Sequence, residues 1–427
     1  MKPEFDTAFQ ISTSNLRFGR DITREVGMDL ADLGLKRTLL VIDPRLKELP
    51  TGQIVIESLQ AAGIDFETFA AVAVEPTDAS FLAAINVAKE GRFDSFVAVG
   101  GGSTIDTAKA ANLYSTYPAE LLEYVNAPIG RGQPVPGPLK PLIAIPTTAG
   151  TGSETTGVAI FDFLERKAKT GIAHRYLRPT LGIVDPDNTR TQPAAVAASA
   201  GLDVLSHALE SYTAIPYDRR PRPERPILRP AYQGTNPISD MWALRALEMV
   251  HEFLPRAVAD TTDDEARGQM LLASSMAGIG FGNAGVHLPH GMSYAVAGLV
   301  REFRPPGYAA DHAMVPHGMS VILNTPAVVR FTASACPERH LRAAAALGAD
   351  TSNTDLKDAG EILARRVIHF MRLLHMPNGL AAVGYSAADI PALVKGTLPQ
   401  HRVTKLSPRP AGEAELTELF RASLNIW

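Results

Sequence analysis

The sequence predicts two domains, an N-terminal α/β domain over residues 1–190 and an all-helical domain over residues 191–427. In the first domain, short β-branched runs alternate with helix-like stretches, which is the pattern expected of βαβ units around a parallel sheet. In the second, long Ala- and Leu-rich segments carry apolar residues at helical spacing. A chain of 427 residues also exceeds what one hydrophobic core usually serves, which favours two domains.

The elements of both domains follow from the same patterns. The predicted strands are TLLVID (38–43), DFETFAAVAV (65–74), DSFVAVG (94–100), PLIAIP (141–146) and LGIVDP (181–186). The predicted long helices of the second domain span residues 193–213, 238–259, 264–281 and 355–375. Turn formers cluster at 185–193, where we place the boundary. The Pro- and Arg-rich segment 215–237 is predicted to be a loop inside the helical domain.

Composition excludes several classes of protein. With 45% hydrophobic and 20% charged residues, the chain is typical of a soluble globular protein. Its single cysteine, Cys336, rules out an intrachain disulfide, so any metal must be held by nitrogen and oxygen ligands. A net charge of −4 argues against nucleic acid. We find no membrane span and no targeting segment, so we expect a cytoplasmic location.

A glycine-rich loop follows the predicted strand 94–100, in VAVGGGSTIDTAKA (97–110). Gly101 and Gly102 would let the backbone approach a phosphate, and the first amides of the following helix would supply unpaired donors and the positive end of the helix dipole. Ser103 and Asp106 have the spacing of a capping box, with Asp in place of Glu or Gln. The loop therefore predicts either a diphosphate site or a glycine turn before a well-capped helix.

A second polar loop, IPTTAGTGSETT (145–156), offers the hydroxyls of Thr147, Thr148 and Thr151. Loops that follow separate strands of a parallel sheet meet at its carboxyl edge, where ligands bind, so the two loops together favour a dinucleotide. Asp43, at the end of TLLVID, could accept a hydrogen bond from a ribose 2′-hydroxyl and would repel a 2′-phosphate, which favours NAD over NADP. An ordinary turn aspartate is the alternative for Asp43.

Candidate metal ligands lie in the helical domain. GLDVLSHALESY (201–212) places Asp203 and His207 four residues apart on one helix face, a spacing that can hold one cation but also occurs in surface pairs. Two later His-Gly steps add His290 and His317, which would complete a site of one carboxylate and three imidazoles. Such a set suits Fe(II) or Zn(II) and leaves a position open for a substrate oxygen.

The two polar loops, the helix 201–212 and the His-Gly steps follow each other in this order. In this combination, the chain resembles the iron-containing (group III) alcohol dehydrogenase family over nearly its whole length. GGGSTID matches the family's diphosphate loop, IPTTAGTGSE matches its nicotinamide-side loop, and Lys169 matches a lysine near the cofactor. The family's metal ligands match Asp203, His207, His290 and His317. The resemblance implies a dehydroquinate synthase-like fold with a Rossmann-like dinucleotide-binding domain and an all-helical domain. It also implies NAD and Fe(II), with Zn(II) as the alternative metal.

Two features depart from the usual family pattern. Tyr294 stands where many members carry a second histidine, so the proton-relay role of that imidazole does not carry over. The stretch from Tyr294 to His317 is also longer than usual and contains VREFRPPGYAADHAM. With segments such as ESYTAIPYDRR and RPAYQGTNPISDMWA, it resembles the hydroxyacid-oxoacid transhydrogenase branch. That branch oxidises 4-hydroxybutyrate to succinate semialdehyde while reducing 2-oxoglutarate to 2-hydroxyglutarate.

The resemblance implies metal-assisted hydride transfer through NAD, with a small hydroxy acid and an oxo acid as substrates. Either Tyr294 or a water near His287 would carry the proton outward. Both substrates carry carboxylates, so a cationic anchor is expected. The candidates in the 215–237 segment are Arg219, Arg220, Arg222, Arg225 and Arg229, for which a solvated loop is the alternative. The family also implies a homo-oligomer.

Three other functions compete with this prediction. The nearest is an ordinary NAD-dependent dehydrogenase, acting on a small alcohol or on 4-hydroxybutyrate, that releases NADH at each turnover. A lyase of the dehydroquinate synthase type would also use NAD and a metal, but it would need basic phosphate-holding residues. A non-catalytic nucleotide-binding protein has no physical reason to keep all four metal positions.

Overall fold

The computed structural model describes residues 4–166, 168–308 and 312–427. Lys167 in ERKAKTG, and residues 309–311 in the long stretch between Tyr294 and His317, therefore lie outside the described part. The chain divides into two compact units. The α/β unit comprises Ser12–Gln192 and Arg267–Ser275, and the helical unit comprises the chain up to Ile11, Pro193–Ala266 and Met276–Trp427. The first residues thus group with the helical unit, whereas the sequence analysis assigns them to the N-terminal domain.

The α/β unit is built on a six-stranded parallel sheet. Its strands are β1 (Asn15–Phe18), β2 (Arg37–Ile42), β3 (Asp65–Phe69), β4 (Ser95–Gly100), β5 (Leu142–Pro146) and β8 (Leu181–Val184). They lie in the order β1-β8-β5-β4-β2-β3, and every neighbouring pair is parallel. An antiparallel hairpin of β6 (Val158–Phe163) and β7 (Ala168–Ala173) forms a second, two-stranded sheet.

Helices cover both faces of this sheet. They are α1 (Val26–Asp32), α2 (Pro50–Ala61), α3 (Asp78–Glu90) and α4 (Gly102–Thr116). Because side chains alternate along a strand, Leu39 and Val41 of β2 join one apolar cluster with residues of α3 and α4. Leu40 and Ile42 join a second cluster with residues of α1 and α2. Burial on both faces explains why these strands are nearly continuous apolar runs.

The helical unit contains eleven helices in its described part. They are α5 (Ala194–Thr213), α6 (Pro237–Ala259), α7 (Asp264–Ala284), α8 (Leu288–Gly298), α9 (His317–Ile322), α10 (Thr325–Thr332), α11 (Pro337–Ala346), α12 (Ala359–Leu373), α13 (Ile390–Thr397), α14 (His401–Thr404) and α15 (Glu413–Ser423). The middle of α7 groups with the α/β unit. The four long predicted helices are confirmed as α5, α6, α7 and α12. Among the described residues, no helix is both long and apolar enough to cross a membrane.

The strand predictions differ from the structure in two respects. Strand β3 ends at Phe69, not at residue 74, because it pairs only with β2, whose ladder with it ends at Val41↔Phe69. Strands β1 and β6–β7 were missed by the sequence analysis. Strand β1 is a four-residue edge strand with mostly exposed side chains, so it lacks the apolar pattern that marks the central strands.

Candidate functional site

Three helices of the helical unit carry the four candidate metal ligands. Asp203 and His207 lie one turn apart on α5, and His290 lies in the first turn of α8. His317 is the first residue of α9. A Cβ on the next residue, Gly318, would overlap the backbone oxygen of Ser199 on α5, so glycine allows α9 to pack closely against α5. The sequence thus brings His317 to the side chains of α5.

The four side chains converge on a small volume. One donor atom from each of Asp203, His207, His290 and His317 lies within 4.8 Å of the others. Asp203 Oδ1 is 3.6 Å from His290 Nε2 and 3.8 Å from His317 Nε2. Asp203 Oδ2 is 3.7 Å from His207 Nδ1. These separations are too long for hydrogen bonds between the ligands, but they leave room for one cation among them.

Three of the four donor atoms, those on Asp203, His207 and His290, are buried without a hydrogen-bond partner among the described residues. Within the described residues, Asp203 Oδ1, His207 Nδ1 and His290 Nε2 are inaccessible to solvent and accept or donate no hydrogen bond. An unsatisfied buried polar group is costly, and three that converge are unusual in a folded protein. One carboxylate and three imidazoles form a nitrogen and oxygen set that suits Fe(II) or Zn(II). The residues present therefore fit a divalent metal ion.

Glu210 is a further functional residue that the sequence analysis missed. It is 1% exposed, and its Oε1 lies 2.6 Å from His290 Nδ1 while its Oε2 accepts the His287 backbone N–H at 2.6 Å. This carboxylate fixes the tautomer of His290 with Nε2 directed at Asp203, as carboxylates commonly do for metal-ligating histidines. The signal was available: Glu210 lies three residues after His207 in an apolar helix, on the same face.

The pKa values of the two imidazoles His207 and His290 are shifted in ways that favour a bound cation. Burial lowers the pKa of His207 to about 3, which keeps its ring neutral and able to coordinate a metal. Burial also lowers the pKa of His290, but the carboxylates of Glu210 and Asp203 more than offset this and hold the pKa above its ordinary value. A positive charge is therefore favoured between these two carboxylates.

The two candidate proton-relay residues both lie on or next to α8. His287 directly precedes the helix, and its Nε2 lies 3.0 Å from Thr213 Oγ1. Burial lowers the pKa of His287 to about 4. Tyr294, four residues after His290, accepts a hydrogen bond at its hydroxyl from Arg402 Nη2 at 3.1 Å. The roles of His287 and Tyr294 stay predictions.

The two candidate dinucleotide loops belong to the α/β unit. They follow the adjacent strands β4 and β5 and pack against each other. A Cβ on Gly102 would lie 2.6 Å from Thr151 Cγ2, and one on Gly101 would lie 3.0 Å from Thr148 Oγ1. The N–H of Thr147 donates to Gly100 O at 3.1 Å. A side chain at Gly102 would therefore displace Thr151, and one at Gly101 would make a tight contact with Thr148.

The capping box predicted for Ser103 and Asp106 is wrong. Helix α4 begins at Gly102 and has no side-chain cap, and Ser103 Oγ accepts the Glu75 N–H at 3.2 Å. Asp106 Oδ1 accepts from Ser153 Oγ at 2.5 Å, and Oδ2 accepts the Ile160 N–H at 2.9 Å. Asp106 therefore fastens the second loop and strand β6 to α4, because tertiary partners compete successfully with the local cap.

Lys109, which the sequence analysis did not single out, reinforces this attachment. Its ammonium is fully buried and donates to Ser153 Oγ at 2.6 Å and to Val158 O at 2.8 Å, with Asp106 Oδ1 at 3.3 Å. Only one turn of helix separates Lys109 from Asp106, so the pair is visible in sequence, but its burial is not.

The remaining predicted cofactor residues also have protein partners. Lys169 Nζ lies 2.5 Å from Glu75 Oε2 and 3.1 Å from Asp162 Oδ1. Burial lowers the pKa of Lys169, but these carboxylates more than offset it and leave the pKa raised. Asp43 follows β2, next to β4 in the sheet, and its Oδ1 accepts the Arg45 N–H at 2.9 Å. Asp43 therefore lies in the local turn that was its alternative interpretation.

Comparison with known proteins assigns the chain to a family. A family model for iron-containing alcohol dehydrogenase matches residues 13–186, and one for the C-terminal part of the Fe-containing alcohol dehydrogenase family matches residues 231–424. The mitochondrial hydroxyacid-oxoacid transhydrogenase of Mus musculus is 58% identical over 424 residues, which cover 99% of this chain and 91% of the mouse protein. The Homo sapiens protein of the same name is 57% identical with the same coverage.

The expectation of a cytoplasmic location is wrong. Both relatives are named as mitochondrial proteins, and they match this chain over 99% of its residues. The compartment of a protein is set by a targeting segment that is recognised before folding and is often removed. The composition of the folded part therefore does not encode the compartment.

A solved structure supports the same assignment. The crystal structure of 1,3-propanediol oxidoreductase has a TM-score of 0.84 and 27% sequence identity, covering 97% of this chain and 100% of that protein. The likeness confirms the predicted fold class of an α/β part followed by a helical part. The chain therefore belongs to the iron-containing alcohol dehydrogenase family, within the branch formed by the hydroxyacid-oxoacid transhydrogenases.

Proposed function

We propose that this chain transfers a hydride from 4-hydroxybutyrate through NAD to 2-oxoglutarate, which yields succinate semialdehyde and 2-hydroxyglutarate. The observation that carries the proposal is the converging set of buried, unpartnered donor atoms on Asp203, His207 and His290, together with His317. The relatives named hydroxyacid-oxoacid transhydrogenase support a hydroxy acid and an oxo acid as the two classes of substrate.

Asp203, His207, His290 and His317 would hold the metal, which we take to be Fe(II) or alternatively Zn(II). When bound there, the ion supplies Lewis-acid chemistry that lowers the pKa of a substrate hydroxyl. Glu210 holds the His290 ring in the coordinating tautomer. Phe281 stacks on His207 at 4.0 Å between ring centres, which fixes that ring and excludes water from one face.

We assign the dinucleotide to the two loops of the α/β unit. Gly101, Gly102 and the first amides of α4 would hold the diphosphate, because the start of a fifteen-residue helix presents unpaired N–H groups. Ser103, Thr147, Thr148 and Thr151 would supply hydroxyls, and Asp43 would accept from the ribose. Asp106 and Lys169 act indirectly in this proposal, since protein partners occupy their charges. NAD supplies the hydride acceptor.

Transhydrogenation requires the reduced nucleotide to stay bound while one acid leaves and the other enters. The same hydride then returns to the oxo acid, so the two half-reactions balance without an outside oxidant. His287 and Tyr294 are our candidates for moving the hydroxyl proton. We also propose a homo-oligomer, which light scattering on the purified protein would test.

The decisive experiment supplies purified, metal-loaded protein with 4-hydroxybutyrate and 2-oxoglutarate and adds no NAD. We expect 2-hydroxyglutarate to form in many turnovers per protein chain. If it forms only after free NAD is added and NADH accumulates, the protein is an ordinary dehydrogenase. If neither product nor NADH appears and no metal is bound, the catalytic proposal fails.

A further inference from the structure

The five arginines expected to anchor a substrate carboxylate are engaged elsewhere or lie at the surface. Arg220 Nη2 bonds Asp6 Oδ2 at 2.7 Å, and Arg229 Nε donates to the same oxygen at 2.9 Å. These two cations therefore fasten the N-terminal stretch of the chain to the 215–237 segment. The side chains that are exposed are Arg219, Arg222 and Arg225.

Arg402 on α14 is half-buried and offers a different guanidinium. Its Nη2 donates to the Tyr294 hydroxyl at 3.1 Å, and its Cζ lies 5.0 Å from the centre of the Tyr232 ring. Its Nη1 is shielded from solvent and has no hydrogen-bond partner within the described residues. These two partners, a hydroxyl group and an aromatic ring, carry no negative charge.

A guanidinium in this environment needs an anion. Arginine stays protonated at every pH that a protein tolerates, so Arg402 cannot relieve its burial by losing a proton. A buried charge without a counter-charge is among the most costly arrangements in a protein. Arg220 and Arg229, in contrast, share the Asp6 carboxylate. The partner of Arg402 is therefore expected to come from outside the chain.

Arg402 is connected by direct contacts to two of the candidate metal ligands. Its partner Tyr294 lies four residues after His290 on the same face of α8, about 6 Å along the helix axis. Its other neighbour, Tyr232, meets Phe281 with 6.4 Å between ring centres. Phe281 in turn stacks on His207. These two paths link Arg402 to His290 and to His207, the side chains beside which a substrate would bind.

We propose that Arg402, together with the Tyr294 hydroxyl, binds the carboxylate that both substrates carry two methylenes away from the reacting carbon. The inference rests on the proposed function. In 4-hydroxybutyrate, two methylenes separate the hydroxyl-bearing carbon from the carboxylate. In 2-oxoglutarate, two methylenes separate the oxo carbon from the distal carboxylate. The reacting carbon and the carboxylate carbon are about 4 Å apart in each when extended, so one fixed cation positions both substrates in turn.

The test compares wild type with Arg402→Gln, using 4-hydroxybutyrate or the neutral alcohol 1-butanol with excess NAD, and 2-oxoglutarate with excess NADH. We expect the ratio of kcat/KM for 4-hydroxybutyrate to that for 1-butanol to fall on the order of 10- to 100-fold, and KM for 2-oxoglutarate to rise similarly. Arg402→Lys, which keeps the charge but loses the fork of donors, should recover part of the ratio. Calorimetric titration with butyrate, which requires no turnover, should show the same loss of affinity.

The matched control is Arg372→Gln, which removes the same charge from an exposed position on α12. This variant should keep the wild-type ratio. An unchanged ratio in folded Arg402→Gln overturns the inference, and if that variant does not fold, an unchanged ratio in Arg402→Lys does so. If wild type turns over neither acid, the proposed function fails instead, and the butyrate titration still decides whether Arg402 binds a carboxylate.

Discussion

The α/β unit and the helical unit each contain a cluster of buried charged side chains, and the two clusters differ in whether each of their polar atoms has a partner. In the α/β unit, Lys109 donates to Ser153 and Val158 and lies beside Asp106, so its ammonium has partners, although burial lowers its pKa by more than Asp106 raises it. In the helical unit, Asp203 Oδ1 and His290 Nε2 converge without a hydrogen bond between them. Paired buried charges indicate architecture, whereas unpaired and converging ones indicate a ligand.

The largest effect on activity should follow from removing the Asp203 carboxylate from the cluster of candidate metal ligands. Asp203→Asn keeps the shape of the side chain but removes the only anionic ligand, so kcat/KM should fall on the order of 10³-fold or more. Bound metal, measured by elemental analysis, should fall with it. The control His251→Gln changes an exposed histidine of the same unit and should alter neither quantity. Full activity and full metal content in Asp203→Asn would show that the cluster is not the metal site.

Breaking the ion pair of Lys109 and Asp106 in the α/β unit should lower the stability of the fold. Lys109→Met leaves the Asp106 carboxylate uncompensated, so the free energy of unfolding should fall by about 3–5 kcal/mol. Urea unfolding would measure this loss, and the metal content of the helical unit should not change. The double variant Asp106→Asn/Lys109→Met should lose less than the sum of the single variants, because it leaves no unpaired charge. Additive losses would contradict the pairing.

A smaller effect is expected from Glu210. Its carboxylate has a partner in His290 Nδ1, and it orients the same ring so that Nε2, which has no partner, faces Asp203. Glu210→Gln removes the charge that orients His290, so metal affinity should fall by about 10- to 100-fold. Competition with a chelator would measure the change. Secondary structure followed by circular dichroism should match wild type. Unchanged affinity would mean that packing alone orients the His290 ring.

The smallest effect concerns Asp6, which pairs with Arg229 and Arg220 in the helical unit. The hydrogen bond from Arg229 lowers the pKa of Asp6, and the charge of Arg220 lowers it further, against the effect of burial. Asp6 therefore stabilises the fold fully above its ordinary value of 3.8, and this contribution is lost as the pH falls through the lowered pKa.

Asp6→Asn should accordingly cost about 1–2 kcal/mol of unfolding free energy at pH 7. The difference between the variant and wild type should shrink below pH 3.8, where the carboxyl of unfolded wild type is protonated. Parallel urea titrations at several pH values would measure this. A difference that did not depend on pH would indicate lost packing and not a lost ion pair.

The sequence allowed much of the candidate site to be predicted, but not its supporting contacts. Asp203 and His207 are recognisable because four residues bring side chains to one helix face. Glu210 was missed although it lies on the same helix face as His207, because only the position of α8 in the fold makes it a partner of His290. Arg402 was missed because the 215–237 segment holds a denser group of arginines, and only the fold places this arginine, far along the chain, beside Tyr294.

What the sequence by itself determined are the properties that depend on near neighbours in the chain. These include the apolar strands, the long helices α5, α6, α7 and α12, the glycines after β4 and the pair Asp203 and His207. Only the tertiary structure decided which charges are paired. Asp106 fastens a neighbouring loop, and Lys169 is held between Glu75 and Asp162. The physical reason is that the cost of a buried charge depends on groups from distant segments, and those come together only when the chain folds.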